Sequence, residues 1–233
     1  MLRTLCLAVT TLACLELIPL LIAVDKKPLE IEGWGTVTDP DGDCTIKGDN
    51  GKLSITVPGT EHNLHPKRAM NAPRVLRQIE GDFAVTVKVT CALTPGKKVV
   101  GVGASAGNYA GLLLWANESE YLRLERNARW GGDKLFSFTP GCEYWKEKKQ
   151  AYLNTRGPGT TAEFFKTDST WFRMERKGSS VTAYFSHDGK EWSVCKILAT
   201  ALPVKVLVGV AAINSSDSPF STEFSEFHVE PRN

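Results

Sequence analysis

The residues best suited to recognition chemistry stand in two near-copies. Tyr121-Leu122-Arg123-Leu124-Glu125-Arg126 returns, with substitutions, as Trp171-Phe172-Arg173-Met174-Glu175-Arg176. Both runs alternate apolar and polar residues, and side chains of a strand alternate between its faces. Leu122, Leu124, Phe172 and Met174 are therefore expected in the core. Tyr121, Arg123, Glu125, Trp171, Arg173 and Glu175 take the opposite face. If the two strands lie in one sheet, that face presents aromatic rings, guanidinium groups and carboxylates together. Sugars suit such a surface, because a ring covers the apolar side of a pyranose while planar polar groups bond paired hydroxyls. Plain cross-strand Arg–Glu pairing explains the same residues, each pair contributing about 0.2–1 kcal/mol. The plain pairing is slightly favoured.

Carboxylates could also cleave a glycosidic bond, which needs two of them flanking it. No Glu-x-Asp-x-x-Glu run occurs, and Glu223 and Glu226 differ in face. Glu125 and Glu175 remain as a cross-strand pair. Their arginine neighbours should lower their pKa values, whereas a general acid needs the opposite shift.

Asp39, Asp41 and Asp43 surround Gly42 at alternate positions. Three such carboxylates can converge on calcium. A helix-loop-helix calcium loop would also need a Glu where Asn50 stands, and no helical pattern flanks the segment. A polar turn between strands is the favoured reading. His62 and His65 lie in a loop broken by Pro66 and are expected at the surface. Ser186-His187-Asp188 is contiguous on a hairpin tip and reads as a turn, since catalytic triads draw on separated positions. The glycines from Gly101 to Gly107 precede no helix whose N-terminus could hold phosphate.

The elements that position these residues read as strands. Trp171 to Trp192 forms three of them, joined by turns at Lys177-Gly178-Ser179 and Asp188-Gly189. Lys52 to Val57 and Phe83 to Val89 alternate cleanly. Ala110 to Trp115 and Val204 to Ile213 are continuous apolar runs, consistent with strands buried on both faces. Arg74 to Ile79, Leu135 to Phe138, Tyr144 to Tyr152 and Phe220 to Val229 complete the set. The segment from Trp130 to Thr161 is the least regular. No helical period is sustained outside the N-terminus. A dozen or so short strands point to an all-β, two-sheet antiparallel jelly-roll sandwich.

Residues 1–24 stand apart. Met1-Leu2-Arg3 and the apolar run to Val24 predict a secretory signal, with an uncleaved membrane anchor as the alternative. Residues 25–233 are then expected to form a single domain. Export would place Cys44, Cys91, Cys142 and Cys195 in an oxidising compartment as disulfide candidates, and sequence leaves their three possible pairings open. Four buried thiols are an equal alternative. Net charge is +2, from 28 basic and 26 acidic residues, which gives no support to nucleic-acid binding.

Several stretches in combination resemble a known family: Trp34 to Cys44 (WGTVTDPDGDC), the Leu53 to Pro58 strand, Asn71 to Arg77 (NAPRVLR), AGLLLW with YLRLER, and WFRMERKG with SHDGKEW. It is the uncharacterised bacterial domain of unknown function 1349 family, of the concanavalin A-like lectin/glucanase superfamily. Some members carry the label "regulation of enolase", which attaches to no residue here. The resemblance implies a jelly roll whose concave face binds polysaccharide in better-known relatives, sometimes with structural calcium at a sheet edge. It implies no catalytic residues. The expectation is an exported, monomeric, non-catalytic carbohydrate-binding module of the periplasm or cell surface, meeting a membrane only through an uncleaved N-terminus. A glycoside hydrolase and a structural or protein-interaction module are the alternatives.

Overall fold

A computed structural model describes residues 27–102, 105–137, 140–154 and 167–232. The leader or anchor expected over residues 1–24 and the Gly157-Pro158-Gly159 punctuation lie outside the described residues. The chain folds as an all-β jelly-roll sandwich of two antiparallel sheets. Its strands are β1 (Glu30–Ile31), β2 (Gly35–Thr38), β3 (Thr45–Asp49), β4 (Lys52–Val57), β5 (Arg74–Glu80), β6 (Asp82–Thr90), β7 (Gly107–Asn117) and β8 (Glu120–Gly131). There follow β9 (Lys134–Ser137), β10 (Gly141–Lys146), β11 (Lys149–Asn154), β12 (Ser169–Lys177), β13 (Ser180–Ser186), β14 (Ser193–Ala199), β15 (Lys205–Asn214) and β16 (Phe220–Arg232). The nine-stranded sheet runs β1-β2-β5-β15-β7-β8-β10-β11, with β9 on β8; the seven-stranded sheet runs β14-β13-β12-β6-β16-β4-β3.

Period-two alternation builds the core between the sheets. Phe83, Val85, Val87 and Val89 of β6 face Leu112 and Leu114 of β7 and Leu122 and Leu124 of β8 across it, with Phe172 and Met174 of β12. Each of these is essentially sealed from solvent. Burying one such side chain stabilises the fold by roughly 1.5–3 kcal/mol. Arg126 also points inward and is 2% exposed. It donates to Thr170 Oγ1 and to the Thr167 carbonyl, both at 2.7 Å.

The apolar runs of β7 and β15 need cover on both faces, and they have it. Leu113, Trp115, Tyr121, Ala211 and Ile213 form a second apolar layer on the outer side of the nine-stranded sheet, roofed by Leu64 and Ala72 of the 61–73 segment. That segment is not a free loop. His62 pairs with Asn214 as an isolated bridge, and Tyr121 Oη donates to the Leu64 carbonyl at 2.7 Å.

Two local features depart from the sequence expectation. Tyr144 to Tyr152 is not one strand but the β10–β11 hairpin, turned by Glu147 and Lys148 at φ +51° and +58°. A turn with two consecutive positive φ values usually announces itself with Asn or Gly, and neither is present. In β16 a bulge between Ser225 and His228, with Glu226 at φ +51°, shifts the phase so that Phe227 rather than Glu226 packs inward. Phe227 stacks on Trp34, centroids 4.8 Å apart.

No disulfide joins the four cysteines. Cys142 of β10 and Cys195 of β14, on opposite sheets, are hydrogen-bonded to each other, which with burial pushes the Cys142 thiol well up. Cys91 lies beside Arg126 and Thr222.

Candidate functional site

The two near-copies lie in different sheets. Strand β8 belongs to the nine-stranded sheet and β12 to the seven-stranded one. Each turns its leucine, phenylalanine or methionine side chains into the shared core, so the polar ribs must point off opposite outer faces. Tyr121, Arg123 and Glu125 therefore do not join Trp171, Arg173 and Glu175 in one surface. The periodicity fixes the phase of each strand correctly but carries no information about which strand it pairs with.

On the seven-stranded sheet the rib is self-paired. Arg173 contacts Glu175 at 2.5 Å, and Arg232 reaches the same carboxylate at 3.3 Å. Trp171 Nε1 donates to Glu226 Oε2 at 2.9 Å, and the Lys88 ammonium stands 4.4 Å above its ring. The turn glycine Gly189 packs directly against that ring. The Arg173–Glu175 pair lies within one strand, and Arg232 of β16 joins it from across β6.

The nine-stranded sheet differs. Beyond the apolar layer, β8 continues outward with Arg123, Glu125, Asn127 and Arg129, lining a trough of about 180 Å³. Glu143 of β10 stands directly opposite Arg123, while Gly111 of β7 and Gly141 of β10 flank Glu125. Of the two, Gly141 lines the trough beside Glu125. His65 and Arg68 of the 61–73 segment form one wall, and Gln150 and Leu153 of β11 the other. Tyr121 is not part of this surface, since it lies beneath the roof between Trp115 and Trp145.

The polar groups are buried and mutually braced. Arg123, Glu125 and Glu143 are 9%, 6% and 7% exposed. Arg123 Nη2 pairs closely with Glu143, and its Nη1 lies 3.7 Å from Glu125. Gln150 Nε2 donates to the second oxygen of Glu143. Arg123 Nε is buried with no acceptor among the described residues, a donor whose desolvation costs about 1–3 kcal/mol unless a ligand or water meets it. Burial raises the Glu125 pKa, and the Arg123 charge only partly opposes it. The arginine-lowered carboxylate expected from sequence is thus reversed, because Glu125 lacks the solvent that would help hold its charge. Burial and the nearby Arg68 charge lower the His65 pKa, favouring its neutral form.

Ser105 also lines the trough. It is the centre of Gly103-Ala104-Ser105-Ala106-Gly107, a Gly-x-Ser-x-Gly spacing that sequence reasoning wrongly took to be absent. The nucleophile elbow needs a strand-to-helix turn. Here the next element is strand β7, so the spacing does not form that elbow.

The acidic turn is drawn toward the 61–73 segment. Asp39 Oδ2 accepts from the Cys44 amide at 3.0 Å, and Asp41 Oδ2 accepts from Asn71 Nδ2 at 2.6 Å. Asp43 Oδ1 lies 2.8 Å from His62 Nε2. Asp39 thus caps the Cys44 amide, while Asp41, at 3.7 Å, and Asp43 both approach His62 Nε2. His62, expected at the surface, is fully buried, because its strand-like bridge to Asn214 carries the ring underneath the turn.

Comparison with known proteins agrees with this fold. Residues 159–232 match the family model "Protein of unknown function (DUF1349)". The resemblance read from the motifs therefore holds over the C-terminal part, from the approach to β12 through β16. No curated protein matches the chain. Among solved structures, a functionally unknown protein from Saccharomyces cerevisiae superposes with TM-score 0.65 at 14% identity, over 86% of this chain and 98% of that one. The GH43 protein BlXynB from Bacillus licheniformis gives TM-score 0.57 at 15% identity, over 84% of this chain but only 36% of its own. This chain thus spans about a third of that protein's length. A legume lectin-like domain from Entamoeba histolytica gives TM-score 0.50 at 12% identity, over 84% and 89%. At these identities the likeness is one of fold, and it supports the two-sheet jelly roll.

Proposed function

We propose that the protein is an exported, monomeric, non-catalytic carbohydrate-binding module. Residues 1–24 act as a leader or anchor, and residues 25–233 act as one lectin-like domain in the periplasm or at the cell surface. The observation that carries this reading is the trough on the nine-stranded sheet. Arg123, Glu125, Asn127 and Arg129 rise from one strand into it, with Gly141 alongside Glu125. Planar donors and acceptors held rigid on a sheet match the paired hydroxyls of a sugar, and little side-chain freedom is lost on binding. The lectin-like neighbour adds support at the level of fold. A glycan array with the purified protein tests the reading. Binding to at least one saccharide is expected, and failure to bind any would leave a structural or protein-interaction module.

One observation favours the hydrolase alternative. Glu125 and Glu143 share the trough, and Glu125 has the raised pKa of a general acid. The Arg123 guanidinium, however, contacts both carboxylates, where a scissile bond would have to lie. Release of reducing sugar, lost in Glu125→Gln, would establish the hydrolase.

A further inference from the structure

Independently of the trough, the turn between β2 and β3 brings three different donors together. His62 Nε2, Asp43 Oδ1 and Cys44 Sγ all lie within 4.8 Å of one another. We infer that Asp43, Cys44 and His62 bind a divalent transition-metal ion of the zinc class.

The first argument is the His62 tautomer. Its Nδ1 lies 3.2 Å from the Thr60 carbonyl oxygen, which can only accept, and 3.4 Å from Thr60 Oγ1, which can donate. Its Nε2 lies 2.8 Å from Asp43 Oδ1 and 3.7 Å from Asp41 Oδ2. With the Nδ1 proton on the Thr60 carbonyl, Nε2 presents its lone pair toward the two carboxylates, and a metal ion between them joins all three. A histidine fixed by a backbone carbonyl through one nitrogen and presenting the other to a site is the usual arrangement of a zinc ligand.

The second argument is the thiol. Cys44 Sγ lies 3.7 Å from Asp43 Oδ1. At ordinary zinc–ligand bond lengths, tetrahedral geometry places sulfur and oxygen roughly 3.6 Å apart. It places nitrogen and oxygen roughly 3.4 Å apart, so Asp43 would move outward by about half an ångström from its 2.8 Å contact. The Asp43 side chain is 45% exposed and has room to do so.

The ligand set selects the ion. Imidazole and thiolate are borderline or soft donors that favour zinc over calcium, which takes six or more oxygens. This site is therefore distinct from an all-oxygen one built on Asp39, Asp41 and Asp43. Binding expels the Cys44 proton to solvent, forms metal bonds to sulfur, nitrogen and oxygen, and changes no oxidation state. Water or Asp41 supplies the fourth position, which the exposed edge of the turn leaves accessible.

Cobalt serves as the probe. The full chain, stripped with chelator under reducing conditions, is titrated with Co²⁺. A near-ultraviolet thiolate-to-metal charge-transfer band saturating at about one equivalent is expected, since Cys44 is a ligand. Zn²⁺ should displace it, and Cys44→Ser should abolish the band and weaken Zn²⁺ binding at least tenfold. Asp43→Asn changes an exposed side chain and should weaken binding even if a His62→Gln protein fails to fold. Absence of the band in the folded native protein overturns the inference. Persistence of the band in Cys44→Ser overturns it too, as does a melting temperature raised by Ca²⁺ and not by Zn²⁺.

Discussion

Arg123 lies directly opposite Glu143 in the β8–β10 pair, and its guanidinium also reaches to within 3.7 Å of Glu125. One cation thus holds two buried carboxylates in the trough, and its neighbours hold it in turn. The equivalent arginine of the other near-copy, Arg173, is braced on the far side of the sandwich and touches none of these groups.

That separation makes the two arginines a matched pair of probes. Arg123→Ala should lower glycan affinity at least tenfold, about 1.4 kcal/mol, whereas Arg173→Ala should leave it unchanged. Affinities for the best array ligand check this. Equal losses in both variants would show that the trough is not the binding surface.

Glu125 makes stability depend on pH. Its folded-state pKa is raised by burial, so the native protein binds its proton more tightly than the unfolded chain does. This contribution is neutral below the unfolded value of about 4.3 and becomes increasingly destabilising as pH rises toward the folded value, after which it is constant. Glu125→Gln removes the penalty. The melting temperature of the variant relative to the native protein should therefore climb from pH 4 upward and then level off. A difference that is flat with pH would contradict the assignment.

Arg176 binds carbonyls rather than carboxylates. It donates to Pro203 and Leu202 at 2.6 and 2.9 Å, and to Gly178 at 3.1 Å, pinning the 200–204 connection to the β12–β13 turn. A lysine cannot reproduce the planar fork. Arg176→Lys should therefore cost about 1–3 kcal/mol for the carbonyls left without donors. Urea denaturation measures it, and a loss below about 0.5 kcal/mol would contradict the role.

Cys142 and Cys195 link facing sheets, and mild oxidation should join them before any other pair. Closing this loop should stabilise the protein by about 2–4 kcal/mol. Peptide mapping of the oxidised protein identifies the link, and thermal melts with and without reductant give its size. A crosslink that instead includes Cys44 or Cys91 would rule the pairing out.

Much of this was written in local pattern. Alternation in β4, β6, β8 and β12 names their inward residues correctly, and the doubly apolar β7 and β15 forecast cover on both faces. What local pattern lacks is partnership. Arg123 and Arg173 have the same phase in near-identical strands, yet β8 pairs with β7 and β10 while β12 pairs with β6 and β13. Glu143, the closest partner of Arg123, was hidden because its hairpin turns at Glu147-Lys148 without glycine. His62 was misplaced for a related reason. Its burial comes from a single bridge to Asn214, more than a hundred residues away, and one bridge leaves no period to read.

Beside Glu125 of the trough, β7 and β8 meet too closely for a side chain at Gly111. A β-carbon on Gly111 would come within 2.1 Å of the Leu124 carbonyl oxygen, so no larger residue fits there without moving β7 away from β8. The spacing of these two strands is consequently a fixed property of the scaffold. Retargeting this protein to a new ligand, in the laboratory or by drift, has to proceed by rewriting the rim at places such as Arg68, Gln150 and Leu153.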